Sequence, residues 1–249
     1  MRIAIGLEYN GTNYHGWQNQ AGLLTVQSCV EAAVSKVADH SVKITCAGRT
    51  DVGVHAKGQV AHFDTEAKRK IDSWLFGINH YLPADIAVKW VMPLDESFHA
   101  RHSALARRYK YVIYNHKIRP AILLNQVAWH FIPLNEKLMH AAGQFLLGEL
   151  DFSSFRSTFC QSVTPMRNVH HLKVKRHNNL IIIDIKANAF LQHMVRNIAG
   201  LLIAIGEGKY PPEWAQEILA KRDRRSSAPA ASAFGLYLTK IYYPPIYKL

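Results

Sequence analysis

Ile3, Ile5, Leu7 and Tyr9 alternate with smaller or polar residues, the period-two pattern of a strand, and predict one over 3–9. After Thr25 the period changes. Val26, Val30, Ala33, Val34 and Val37 recur at helical spacing, so a helix capped by Thr25 is expected. The same reading places strands at 42–47, 59–64 and 86–91 and a helix at 68–79. Beyond a boundary near 98–104 it gives a strand at 105–115, a helix at 135–147, strands at 169–176 and 180–187 and a helix at 190–205. A short helix opened by Pro211-Pro212 and a strand at 235–243 follow.

This order predicts an α+β protein of two similar mixed halves, 1–100 and 101–249, although no residue-level repeat joins them. Strands separated by single helices imply sheets covered on one face, with the other face free to bind. The basic, aromatic strand around Arg107–Tyr114 is the first candidate for that face.

Composition narrows the classes. With 49% hydrophobic and 19% charged residues, the chain lies in the globular range. Its longest nearly unbroken apolar run, 198–206, is too short to cross a bilayer. Glu8 interrupts the apolar heart that a secretory leader would need, and the three cysteines, Cys29, Cys46 and Cys160, form neither a disulfide framework nor a CxxC pair. A cytoplasmic protein is expected.

Charge points to a partner. A formal net charge of +12 favours polyanions. No acidic residue occurs over 97–135, where Arg101, Arg107, Arg108, Lys110, Lys117 and Arg119 crowd together. A second acid-free stretch, 152–183, carries Arg156, Arg167, Lys173, Lys175 and Arg176. One such run is as readily a solvated face, but two interleaved with aromatics favour nucleic acid.

The candidate chemistry lies in 48–58, a loop with three glycines whose polar residues can be held at unusual angles. It lacks the P-loop pattern. Asp51 sits against the sign of the surface around it, and Arg49 beside it should favour the ionised form, as suits a nucleophile or base. On chemistry alone, an Asx-turn or N-cap aspartate that merely organises the loop is the commoner outcome. Fourteen histidines invite a metal hypothesis, but no HExxH or Cys/His cluster supports it, so no metal is expected.

Gly48-Arg49-Thr50-Asp51-Val52-Gly53-Val54-His55-Ala56 resembles the catalytic signature of the TruA-type tRNA pseudouridine synthases, GRTDxGVHA. Further blocks resemble that family in its order: Glu8-Tyr9-Asn10-Gly11 with His15-Gly16-Trp17-Gln18, Phe98-His99-Ala100-Arg101, Arg107-Arg108-Tyr109-Lys110-Tyr111, Asp151-Phe152-Ser153-Ser154-Phe155 and His193-Met194-Val195-Arg196-Asn197. Val52, where the family has alanine, is the visible departure.

The resemblance implies a pseudouridine synthase fold, two α+β halves with antiparallel sheets joined around a basic central cleft. It implies isomerisation of uridine to pseudouridine at positions 38, 39 and 40 of the tRNA anticodon stem-loop, by a homodimer without cofactor or metal. By the same resemblance Asp51 is the nucleophile and Arg196 its ion-pair partner, while Tyr109 stacks on the target base and Arg49 enters the stack as the uridine turns out. Arg101, Arg107, Arg108 and Lys110 are expected to contact phosphates. Read from the residues alone, Tyr109 and Tyr111 could be sheet packing and Arg196 a surface arginine. The rival function is a tRNA-binding or RNA-chaperone protein without chemistry.

Overall fold

The computed structural model describes residues 1–249. Its elements run β1 (Arg2–Tyr9), α1 (Val26–Ala38), β2 (Thr45–Cys46), β3 (His55–Asp64), α2 (Ile71–Tyr81), β4 (Ile86–Leu94), β5 (Ala106–Asn115) and β6 (Ala128–His130). They continue through α3 (Glu136–Gln144), β7 (Gly148–Asp151), β8 (Met166–His177), β9 (Leu180–Ala187), α4 (Met194–Gly206), α5 (Trp214–Lys221) and β10 (Leu236–Tyr242). No helix is long and apolar enough to cross a membrane.

The chain forms two units, Met1–Leu105 with Tyr237–Leu249, and Ala106–Leu236. The expected halves divide at 100 and 101; by contacts the last strand groups with the first unit. Its backbone pairs in parallel with β3, Tyr237 opposite His55 and Leu238 opposite Ala56, a neighbour relation that order along the chain does not reveal.

In the first unit β1 lies between β3 and β4, antiparallel to both, and β2 pairs with β3. Ile3, Ile5 and Leu7 are buried on one face. Phe63, opposite Ile3 on β3, meets Trp74 of α2 with ring centroids 5.4 Å apart, so the alternation in β1 and the helical stripe of α2 share one core. Thr25 caps α1 in a reciprocal box with Ser28. The strand expected at 42–47 shrinks to Thr45–Cys46. Side chains of α1 take the preceding N–H groups: Val42 donates to Ser35 Oγ (2.9 Å) and Ile44 to Glu31 Oε1 (3.0 Å).

The second unit has β9 between β5 and β8, with β7 on β8, all antiparallel; β6 adds in parallel to β5. Ile181, Ile183 and Ile185 of β9 are buried, as are Met139 and Ala142 of α3 and Ile198, Leu201, Leu202 and Ile205 of α4. Asn135 caps α3 by accepting from the Lys137 and Leu138 N–H groups. The helix expected from 190 starts only at Met194, because His193 adopts φ 64° and breaks the spiral there. Both units are thus mixed α+β structures on mostly antiparallel sheets, the class expected.

Candidate active site

The strand after the glycine loop begins at His55, four residues earlier than expected, since His55–Gly58 continue the ladder with β1 and β10. The loop is therefore 47–54. It is tethered at both ends. The Ala47 N–H donates to Val60 O (2.8 Å), Gln59 Nε2 donates to Gly48 O (2.6 Å), and His55 Nδ1 accepts the Gly11 N–H (3.0 Å). The His55 ring also stacks on Tyr237, centroids 4.7 Å apart.

Thr50 is the inward anchor of the loop. It is buried; its carbonyl accepts the Trp17 N–H (3.0 Å) and its hydroxyl pairs with that of Tyr9 (2.8 Å). Gly16 packs directly beneath. Its φ of 79° suits glycine, and a Cβ there would lie 2.7 Å from Thr50 O and 3.1 Å from the Asp51 carbonyl carbon. The next residue faces the other way. Asp51 is half-buried, its backbone carbonyl accepts the Val54 N–H (3.1 Å), and Arg49 and Val52 on either side are exposed. Val52 is 56% exposed, so the extra bulk relative to the family's alanine lies toward solvent.

Arg101 belongs to the same unit and sits on a turn with its own supports. The His99 N–H donates to Ser103 Oγ (2.9 Å), and His99 Nδ1 accepts the N–H groups of Arg101 and His102 (3.2 Å each). The Ala100 N–H donates to buried His62 Nδ1 (3.1 Å), and the Tyr243 hydroxyl donates to Ala100 O (2.7 Å). Burial pushes the Cys46 thiol up to about 12, against the opposing pull of Arg49 and Arg101, so both guanidiniums bear on one patch.

The remaining predicted residues lie in the second unit. Tyr109, Tyr111 and Ile113 all point to the buried face of β5. Tyr109 keeps 8% exposure and meets Phe190 in a T-shaped contact (5.0 Å, 85°), whereas Tyr111 is fully buried, its hydroxyl donating to Ser232 O (2.9 Å). Tyr111 is thus packing, as its alternation allowed. Arg107, on the Tyr109 face by alternation, donates to Asn188 O (3.0 Å); on the opposite face Arg108 clamps Asp184 through two bonds of 2.7 and 2.6 Å, and Lys110 stands opposite Asp184 in register. Arg196, half-buried on α4, is neither pure packing nor a waving surface cation. Its Nε donates to Ala231 O (2.9 Å) while its carbonyl accepts the Ala231 N–H (3.0 Å). Gly200, one turn on, lets the same strand of chain approach, for a Cβ there would collide with Pro229 O.

The structure therefore places Arg49, Asp51 and Arg101 on the first unit and Arg107, Tyr109 and Arg196 on the second, with Arg108 and Lys110 on the other face of β5. Residues 6–103 and 142–244 match the family model described as tRNA pseudouridine synthase. The chain belongs to the tRNA pseudouridine synthase family. Among curated relatives, the tRNA pseudouridine synthase A of Legionella pneumophila (strain Lens) is 56% identical over 249 residues, all of this chain and 95% of its own. That of Coxiella burnetii (strain Dugway 5J108-111) is 54% identical over 248 residues, with coverages of 100% and 95%. Two solved complexes containing Cbf5 align with TM-scores of 0.32 and 0.35 at 13% and 11% identity. They cover 80% and 90% of this chain and 54% and 59% of theirs, a likeness too weak to inform function.

As a member of this pseudouridine synthase family, the chain is an isomerase. Arg107, Arg108, Tyr109 and Lys110 fall between the two matched stretches of the family model, but the full-length relatives span them. The sequence reading missed the supporting partners: Tyr9 and Trp17 behind Thr50, and Ala231 and Gly200 beside Arg196. Tyr9, Gly16 and Trp17 stood in a recognised block, yet nothing in one sequence links that block to Thr50.

Proposed function

We propose that this enzyme isomerises uridine to pseudouridine at positions 38, 39 and 40 of the tRNA anticodon stem-loop, with Asp51 as the nucleophile. The observation that carries the reading is the opposed setting of neighbours in the loop: Thr50 is buried and tied to Tyr9 and Trp17, while Asp51 beside it stays half-exposed. A carboxylate on so constrained a backbone can meet a reacting carbon without first losing conformational freedom.

The reaction breaks the N1–C1′ bond, turns the detached uracil and forms a C5–C1′ bond. A proton leaves C5 and one is taken up at N1, so no atom is gained or lost. Asp51 adds to ribose C1′ or to ring C6 and departs at the end, and either route explains why no cofactor or metal is needed. Arg196 orients Asp51 as its ion-pair partner, with the Ala231 carbonyl fixing the guanidinium at Nε. Tyr109 holds the base by its face, which restrains the detached ring yet lets it rotate. Arg49, exposed beside Asp51, fills the gap left by the turned-out uridine, returning part of an unstacking cost of a few kcal/mol.

Arg101, Arg107, Arg108 and Lys110 contribute phosphate contacts, Arg108 least because Asp184 already engages both ends of its fork. The enzyme works in the cytoplasm as a homodimer, and sedimentation showing a monomer at all concentrations would count against the dimer. The whole reading is tested by incubating wild type and Asp51→Asn with unmodified tRNA and mapping pseudouridine by carbodiimide modification and primer extension. Product at 38, 39 and 40 in wild type alone, with equal tRNA affinity in both proteins, is the expected result. Turnover by Asp51→Asn would remove Asp51 as nucleophile, and product elsewhere would remove the site assignment.

A further inference from the structure

The loop 157–165 has no part in the chemistry above, yet its construction is unusual. Its neck is closed by the Phe152 N–H donating to Pro165 O (3.2 Å) and the Ser157 N–H donating to Gln192 O (3.1 Å). Phe152 and Phe155, both fully buried, anchor its incoming side. Two arginines then brace it from within. Arg156 Nη2 donates to Cys160 O (2.8 Å) and Ser162 O (2.6 Å); Arg167 Nη1 donates to Thr164 O (2.9 Å) and Met166 O, and its Nη2 to Ser162 Oγ.

Both guanidiniums thus converge on Ser162, and neither has a carboxylate partner. The stretch 152–183 contains no Asp or Glu, and Asp151 just before it is engaged by Arg222. Arg167 is only 8% exposed and its Nε is buried without an acceptor. Burial holds the Arg167 guanidinium below its usual range; the Cys160 thiol opposes this and the neighbouring Arg156 charge adds to it. Two adjacent cations with no carboxylate partner, and only the Cys160 thiol beside them, leave a net positive field at this loop. Outside this brace the loop carries Phe159, 85% exposed, and Val163, fully exposed.

We propose that the 157–165 loop is a preformed binding element for an unpaired nucleotide of the RNA substrate, with Phe159 stacking on the base and the Arg156–Arg167 pair attracting the adjoining phosphate. The inference rests on the reading of tRNA as substrate and adds a contact region to it. The pairing of features selects this ligand. A protein partner held by one phenylalanine and one valine would bury too little apolar area to bind, and it would meet two unneutralised cations. Duplex RNA offers phosphates but no open base face. An unpaired nucleotide offers an anion and a flat π surface together, and the internal bracing means little loop entropy is lost on contact.

The test compares wild type, Phe159→Ala, Phe159→Trp, Arg156→Gln and Arg156→Lys in steady-state pseudouridine formation and in tRNA binding across a salt series, with thermal melting as the fold control. Phe159→Ala is expected to raise Kd and KM for tRNA about tenfold, with kcat within about twofold and an unchanged melt. Phe159→Trp should retain wild-type affinity and show tryptophan quenching on tRNA binding beyond that of wild type. Arg156→Gln should flatten the plot of log K against log salt by nearly one, and Arg156→Lys should keep the slope. If wild type turns over and Phe159→Ala binds and reacts as wild type does, the proposal is wrong while the function stands. If wild type makes no pseudouridine in tRNA, the functional reading fails instead. Should Arg156→Gln misfold, the Phe159 pair decides alone.

Discussion

The hydroxyls of Tyr9 and Thr50 lie 2.8 Å apart in the buried interior, joining the end of the first strand to the residue before Asp51 across 41 positions of sequence. Either oxygen can donate, and each is the other's close polar partner in a water-poor setting. In the proposed mechanism, the aim of Asp51 at the reacting carbon therefore depends on a bond made by residues with no chemistry of their own.

Tyr9→Phe removes that bond at little change in volume. Stability should fall by about 1 kcal/mol, and kcat should fall several-fold with tRNA affinity unchanged. A double-mutant cycle with Thr50→Val, scored on kcat, should show strong coupling; additive effects would mean that the two hydroxyls act separately.

Gly16→Ala should be more damaging than its size suggests. The left-handed φ of 79° costs a non-glycine residue on the order of 1–2 kcal/mol, and the new methyl would press on Thr50 O. The predicted signature is a lower melting temperature together with a lower kcat. Gly22→Ala, also at positive φ but with open space around it, should lower stability without the same effect on kcat.

Arg108 and Arg101 should separate by salt dependence. Arg108→Ala breaks the clamp on Asp184 and should lower stability by about 1 kcal/mol, with little change in the salt slope of tRNA binding. Arg101→Ala, on an exposed side chain, should leave the melt nearly unchanged and flatten the slope by about one. The reverse result would exchange their roles.

Acid should loosen the turn that carries Arg101. Burial lowers the His62 pKa to about 4, with the charges of Arg2 and His99 acting the same way, and His99 is lowered too, by burial first and then by His102. Below pH 6.5 the unfolded chain takes up protons that these folded histidines refuse, so stability should fall as pH drops from about 6.5 toward 4 and level off below. Protonated Nδ1 could no longer accept the Ala100, Arg101 or His102 N–H groups. Melting curves over pH 4–8 check this, and His62→Gln should flatten the decline.

What could be read from the sequence was what local periodicity and one local cap determine: β1, α1 with Thr25, α3, β8 and β9. The short strands β6 and β7 were not legible, since three or four residues carry no period to recognise. The start of α4 was misplaced because apolar Phe190 and Leu191 continue the helical pattern that His193 interrupts through its backbone alone. In the site, Asp51, Arg49, Tyr109 and Arg196 were named from recognised blocks. Their supports were not, because a hydrogen bond such as Arg196 to Ala231 leaves no mark on spacing.

The parallel pairing of Tyr237 with His55 bears on how the molecule is made. On the ribosome the first hundred residues emerge early, but the backbone edge of β3 beside His55 has no permanent neighbour until almost all of the chain has followed. At about 5–20 residues per second, that edge stays open for many seconds during each round of synthesis. It is then a place for mispairing between nascent chains and for chaperone capture. A stalled or prematurely terminated product lacking β10 should accordingly be insoluble rather than merely inactive.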